Sequence, residues 1–224
     1  MINQYVIEKE LGKGSFATVH LGHDKETKNK YAIKEMNKTL LMKKRIGKGK
    51  NAFDCVIAEL KVLQRLQHPN IIWLHEIIDD PKEDKIFLVT EWQKKGSVAS
   101  MLGKDMRHYF IDMLKALHYC HVVAKVVHRD IKPDNIMLNH NDEAVLIDFG
   151  VSEIVDNQED LMLDSNMGSY IFYAPEMFNM GGGGKVHGEK TDLWALGITF
   201  FYLLTGEYPW KNATNPLQLK EMVC

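Results

Sequence analysis

The spacing of apolar positions divides the chain into two parts. Tyr5–Leu11, Ala17–His23 and Lys30–Glu35 read as three strands, with the polar turn Asp24–Asn29 between the last two. The period then changes. Val56, Leu60, Leu63 and Leu66 recur at helical spacing within Phe53–Leu66. Ile71–Ile78 and Lys85–Thr90 return to strand, with Pro69 and the turn Asp79–Asp84 as punctuation. This predicts a small antiparallel sheet with one helix laid against it.

After Glu91–Gly96 the pattern becomes mainly helical. Asp105–His121 is amphipathic, with Phe110, Leu114 and Leu117 on one face. Short strands are predicted at Ile136–Leu138 and Ala144–Ile147. Asp192–Leu204 is so rich in Trp, Ala, Leu, Ile and Phe that burial on nearly all sides is expected. Trp92–Ser97 reads as a linker between a sheet lobe and a larger helical lobe, and clefts between lobes are common ligand sites. Ser97–Met106 has room for only a brief helical turn. Two stretches read as flexible solvated loops: the basic, glycine-dotted Leu41–Ala52, and Asn179–Lys190 with its four glycines, Gly181–Gly184.

Composition narrows the function classes. The 224 residues are 45% hydrophobic, enough for a sizeable core. The formal net charge is -2, so no global field draws the chain to nucleic acid or to an anionic membrane. No signal peptide is visible at the start, and the longest apolar stretch is too short and interrupted to span a bilayer. Cys55, Cys120 and Cys224 are odd in number and lack metal-ligand spacing, which fits free thiols in a reduced, cytoplasmic setting.

The candidate chemistry begins at Gly12-Lys13-Gly14-Ser15-Phe16-Ala17 between two strands. Glycines let backbone amides approach phosphate oxygens, although an ordinary hairpin turn reads the same way. Lys34 lies on a strand with apolar neighbours, and Glu59 lies on the helix beside Leu60 and Leu63. Paired, they fix an ammonium that can bridge phosphates; the alternative is two solvent charges. The most informative string is His128-Arg129-Asp130-Ile131-Lys132-Pro133-Asp134-Asn135, followed by Asp148-Phe149-Gly150 after an apolar strand. Asp130 can orient and deprotonate a hydroxyl, and Lys132 can steady a transferring phosphoryl group. Asn135 and Asp148 are hard oxygen ligands suited to Mg²⁺. Phosphoryl transfer requires little beyond positioning and charge neutralisation.

In these motifs the chain resembles the eukaryotic protein kinase family, from Tyr5 to about Trp210. The resemblance implies an α+β, bilobal fold. Residues 1–91 would form an antiparallel N-lobe with one main helix, 92–96 a hinge, and 97–224 a mostly helical C-lobe lacking its last helices. It implies ATP and Mg²⁺ as cofactors and protein hydroxyls as acceptors. Leu11, Gly12, Gly14, Val19, Ala32 and Met137 are implied at the nucleotide. Lys34 would contact its phosphates and be held by Glu59. Thr90 resembles the gatekeeper, and Glu91–Gln93, with Glu91 and Gln93 in the binding set, the hinge backbone. Asp130 would accept the substrate proton, with Lys132 beside it. Asn135 and Asp148 would hold the metal. Asp192 resembles the residue that braces the His-Arg-Asp backbone. Ser169 resembles the hydroxyl that contacts Asp130 and Lys132, and Lys132 marks the serine/threonine class.

Within the family, His68–Trp92, His128–Leu138 and the spacing from Ala174-Pro175-Glu176 to Asp192 look like the calcium/calmodulin-dependent protein kinase kinases. That subgroup implies another kinase's activation loop as substrate. Calmodulin would act only through sequence beyond this chain. Ser165 is a candidate phosphosite whose phosphate Arg129 would bind; a plain loop serine is the alternative. Ending at Cys224, the chain is expected to leave Glu176 as an uncompensated buried charge and one face of Leu193–Leu204 exposed. The other functional reading is therefore a kinase fragment or scaffold that binds nucleotide without turnover.

Overall fold

The computed structural model describes residues 2–14, 17–46, 49–155, 162–163, 167–182, 184–211, 213 and 215–224. The chain divides into two compact units, Met1–Gln67 with Ile72–Lys94, and His68–Ile71 with Lys95–Cys224.

The first unit is built on one antiparallel sheet. Its strands are β1 (Tyr5–Lys13), β2 (Ala17–Asp24) and β3 (Lys30–Asn37), then, after the elements below, β6 (Leu74–Asp79) and β7 (Lys85–Glu91). The order across the sheet is β1-β2-β3-β7-β6. Strand pairing places alternate residues on opposite faces. One face carries Tyr5, Tyr31, Ile33 and Val89, which pack with Ile7, Ile78 and Phe87.

Between β3 and β6 lie α1 (Lys38–Lys43), the two-residue strands β4 (Arg45–Ile46) and β5 (Lys50–Asn51), and α2 (Ala52–Arg65). The flexible loop expected over Leu41–Ala52 is therefore corrected: helix and hairpin occupy its described residues. The cause is capping. Asn37 Oδ1 accepts from Leu40 N at 2.7 Å, while Asp84 accepts from Thr39 N, Thr39 Oγ1 and Asn37 Nδ2. Asn51 and Asp54 form a reciprocal capping box that starts α2. Val56, Leu60 and Leu63 lie on the buried face of that helix, as their spacing predicts.

The second unit begins with β8 (Gly96–Ser97) and a single helical turn, Val98–Met101. It continues through α3 (Arg107–His118), β9 (Val126–Val127), β10 (Ile136–Leu138), β11 (Ala144–Leu146), β12 (Glu153–Ile154), β13 (Met162–Leu163), β14 (Val186–His187), α4 (Gly188–Thr205) and α5 (Pro216–Val223). A wider helical turn, Tyr119–Ala124, follows α3 and ends where Lys125 takes φ 55°. The small sheets pair β11-β10-β8, β12-β9 and β13-β14.

Two further expectations are corrected here. Helix α4 buries Thr191, Asp192, Ala195, Leu196, Thr199, Phe200 and Leu203, yet Leu193, Phe201 and Leu204 are exposed. An all-round apolar composition thus does not mean all-round burial, although the exposed face itself was expected. Gly181 and Gly182 end a helical segment, Pro175–Gly182, where no fixed conformation was expected; Gly183 lies outside the described residues.

Candidate active site

In the first unit, the sheet register gathers the candidate nucleotide residues. Val19 pairs with Lys34, and Ala32 with Thr90. Paired residues point the same way, and Ala32 lies two positions from Lys34. Val19, Ala32, Lys34 and Thr90 therefore share one face, opposite the Tyr5–Ile33 core. Thr90 Oγ1 donates to Ala32 O at 3.4 Å. Lys34 Nζ donates to both oxygens of Glu59, at 2.9 and 3.1 Å. Glu59 is a buried member of α2, so an ion pair replaces the water its carboxylate has lost.

Gly12 pairs with Val19, and Gly14 N donates to Ala17 O at 2.8 Å. Neither glycine has a positive φ. A Cβ on Gly12 would meet nothing within 4 Å. What glycine leaves here is bare backbone beside open space, not a turn that only glycine can make. Ser15 and Phe16 lie outside the described residues. Leu11 is exposed, as is Glu91, whose amide donates to Trp73 O. Gln93 is buried, and its side-chain amide has no hydrogen-bond partner among the described residues.

In the second unit, four donors converge on the Asp130 carboxylate. Oδ1 accepts from Ser169 N at 3.0 Å and Ser169 Oγ at 2.9 Å. Oδ2 accepts from Lys132 Nζ at 2.6 Å and Asn135 Nδ2 at 3.0 Å. Lys132 also donates to Ser169 Oγ at 3.2 Å. Burial pushes the Asp130 pKa up, but Lys132 and Ser169 outweigh it and hold the carboxyl below its ordinary range. The group is ionised at neutral pH and can only accept.

The loop beneath Asp130 is anchored by Asp192 at the start of α4. Asp192 Oδ1 accepts from Arg129 N at 2.8 Å, and Oδ2 from His128 N at 2.9 Å and His121 Nε2 at 2.8 Å. Burial raises this carboxyl, and the His121 bond leads the interactions that bring it below the usual range. His128 is fully buried against Phe149, ring centroids 4.7 Å apart. Its Nε2 donates to Ile147 O, leaving Nδ1 to accept from Asp130 N. Both bonds suit a neutral ring, and burial lowers its pKa accordingly.

Asn135 is buried, with Nδ2 spent on Asp130. Its Oδ1 has no hydrogen bond among the described residues and is available to a hard cation. Asp148 is exposed and left-handed, φ 60°, and accepts from Gly150 N at 3.3 Å. No cluster of three or more His, Cys, Asp or Glu residues occurs among the described residues. This donor set fits Mg²⁺, which keeps waters and substrate oxygens in its shell and takes few protein ligands. Met137, half-buried on β10, pairs with Val145 and Ser97.

Glu176 is exposed, which corrects its reading as a buried charge: water solvates it. Ser165 lies outside the described residues. The three cysteines are free, and burial raises the Cys120 thiol pKa. No helix among the described residues is long and apolar enough to cross a membrane. Two polar residues that sequence reasoning did not single out are built into the site. His121 holds Asp192 from 71 positions away, and Glu153 holds Arg129. A histidine on a buried helical face was the one available signal for the first. No local pattern marks the second.

Comparison with known proteins identifies the family of the chain. The family description "Protein kinase domain" matches residues 5–224. A probable serine/threonine-protein kinase of Dictyostelium discoideum is 38% identical over 221 residues, covering 97% of this chain and 31% of that protein. The calcium/calmodulin-dependent protein kinase kinase of Caenorhabditis elegans is 34% identical, covering 93% of this chain and 42% of its own length. The serine/threonine-protein kinase ssp1 of Schizosaccharomyces pombe is 35% identical, covering 99% and 36%. The chain thus spans about a third to two-fifths of these relatives. It belongs to the eukaryotic serine/threonine protein kinase domain family.

Proposed function

We propose that this chain carries the phosphotransfer centre of an ATP-dependent serine/threonine protein kinase. The observation that carries the reading is the Asp130 carboxylate, ionised and held by Lys132, Asn135 and Ser169. An ionised carboxylate offers about four lone-pair sites, and four donors already use them. An acceptor hydroxyl must therefore displace one. Lys132 is the movable donor, on a flexible stem. Once displaced, its ammonium is free to meet the charge on the transferring phosphoryl group while Asp130 orients the hydroxyl and takes its proton. Lys34, held by Glu59, serves the nucleotide phosphates. Gly12 and Gly14 give their backbone to the same end. Leu11, Val19, Ala32 and Met137 serve as apolar walls for the base, with Thr90 as gatekeeper and Glu91 and Gln93 as the hinge. Magnesium supplies charge neutralisation when bound, and Asn135 Oδ1 and Asp148 are its donors on this chain.

Similarity to the C. elegans enzyme and to the motifs His68–Trp92 and His128–Leu138 supports placement beside the calcium/calmodulin-dependent protein kinase kinases. The acceptor in that reading is a hydroxyl on another kinase's activation loop, the setting is cytoplasmic, and calmodulin would act through sequence outside this chain. The test is γ-phosphoryl transfer from Mg-ATP to a serine/threonine substrate panel that includes unphosphorylated kinase domains. Label on serine or threonine is expected, strongest on a kinase activation loop. Nucleotide binding without transfer to any member would refute the reading, and even labelling across the panel would remove the subgroup assignment.

A further inference from the structure

Two strands form the edges of the large sheet, β1 and β6. An edge strand turns the amide and carbonyl of alternate residues outward, where another chain can pair with them. β1 is blunted: two register shifts break its ladder, and Glu8, Lys9, Glu10 and Lys13 punctuate it. β6 lacks these devices. Leu74–Asp79 holds neither proline nor lysine and has a single register shift, between Leu74 and Glu76. Among the described residues, no hydrogen bond reaches the backbone of residues 74–79 except from β7.

A groove of about 390 Å³ lies along this strand, within the first unit. Consecutive residues from Trp73 to Ile77 line it. Consecutive strand residues point to opposite faces, so a groove they all share follows the open side of the strand. The other wall is the end of α2, where Leu63 and Leu66 are buried. Trp73 is 45% exposed, yet its ring is set: it meets His75 edge-on at 5.0 Å, and His75 stacks on Tyr31 at 4.6 Å. Glu76 supplies the charge. Its Oε2 accepts from Tyr5 Oη at 2.6 Å and from Gln4 Nε2 at 2.9 Å. Its Oε1 accepts from nothing among the described residues, and no lysine or arginine among them pairs with this carboxylate.

We propose that β6 is a docking edge for an extended, basic segment of a partner protein. The segment pairs with the β6 backbone as an added strand, seats an apolar side chain against Leu63, Leu66 and Trp73, and turns a lysine or arginine to Glu76. Charge decides the occupant. A second copy pairing through its own β6 would bring together two strands that each carry Glu76 and Asp79 and neither lysine nor arginine. Lys38 offsets Asp79, but nothing described offsets Glu76. A basic strand reverses that repulsion and satisfies both the outward backbone groups and the carboxylate. Main-chain bonds give such docking its affinity, and the side-chain contacts give its selectivity.

The test selects a displayed library of random octapeptides on the full-length protein. The strongest binder is then synthesised with a fluorescent label, and its affinity is read by anisotropy. Selected sequences are expected to alternate apolar residues and to carry a lysine or arginine, and the binder should slow amide exchange within residues 74–79. Methylating every second backbone nitrogen of the peptide should weaken binding by about tenfold or more in the phase that faces β6, and by less than about twofold in the other. Replacing the basic residue by glutamine should cost about fivefold against wild type and less than about twofold against Glu76→Gln, which keeps an acceptor for Tyr5. Should Glu76→Gln fail to fold, Trp73→Ala, a change at an exposed ring, carries the test and should weaken binding about tenfold. Failure to enrich any sequence, enrichment without a basic residue, equal tolerance of both methylation phases, an undiminished glutamine penalty against Glu76→Gln, or full affinity in Trp73→Ala would each overturn the proposal. Protection of residues 74–79 that grows with protein concentration in the absence of peptide would assign the edge to a second copy and overturn it as well.

Discussion

Lys34 and Asp130 are both charged groups of the proposed phosphotransfer centre, but they are held differently. Lys34 on β3 meets a carboxylate from α2, a helix 25 positions further along the chain. The pair exists only while strand and helix keep their register. Asp130 accepts four bonds from three residues, and its loop is pinned from α4, β12 and the Gly168–Ser169 turn. The first depends on the register of two elements, and the second is over-determined. A side chain held by many partners keeps its geometry when one is lost.

The sharpest way to break that contrast is at the anchor. Asp192→Ala orphans the buried His128 amide, the part-buried Arg129 amide and His121. It should lower unfolding free energy by about 3–5 kcal/mol, read as a shift of the urea midpoint. A shift below about 1 kcal/mol would mean that the loop is held mainly elsewhere. Lys34→Met should reduce transfer about 100-fold. Glu59→Gln should cost less, and the double variant should resemble Lys34→Met alone, because the two act as a unit. Additive losses would show that Glu59 has a separate task.

Acid provides a further test. The depressed His128 pKa means that the fold favours the neutral ring, while the unfolded chain takes up a proton near pH 6.5. Its contribution to stability is fully present above that pH and is lost as pH falls below it toward the folded value. Asp130 and Asp192 are depressed from 3.8, so their contributions are present above about pH 4 and lost below it. The melting temperature should therefore fall in two stages on acidification, the first beginning near pH 6.5. A flat profile from pH 7 to 5 would contradict the buried neutral histidine. The smallest effect is expected at Asn51→Ala, which removes half of the capping box and should cost about 1 kcal/mol. Its hydrogen exchange should loosen the start of α2 and leave the Asp130 loop unchanged.

Much of this was legible where the relevant pattern is local. The five strands of the large sheet, β10, β11 and α2 follow from apolar spacing. The string from His128 to Asn135 announces a site because so many polar groups stand beside a buried strand. The α1–β4–β5 insertion was misread because its charges and glycines look solvated, while the clamp that orders it, Asp84, lies 45 residues past Thr39. Glu153 escaped notice for a related reason: a single glutamate carries no period, and only folding brings it to Arg129. Helix α4 misled in the other direction, since composition records how apolar a face is and not whether anything covers it.

The central claim is that the Asp130 carboxylate orients the acceptor hydroxyl and takes its proton. The most direct measurement is single-turnover phosphoryl transfer by full-length wild type and Asp130→Asn, alongside Mg-ATP affinity. The account predicts unchanged nucleotide affinity and transfer slowed by about 10²–10⁴-fold. Transfer at the wild-type rate in Asp130→Asn would contradict it.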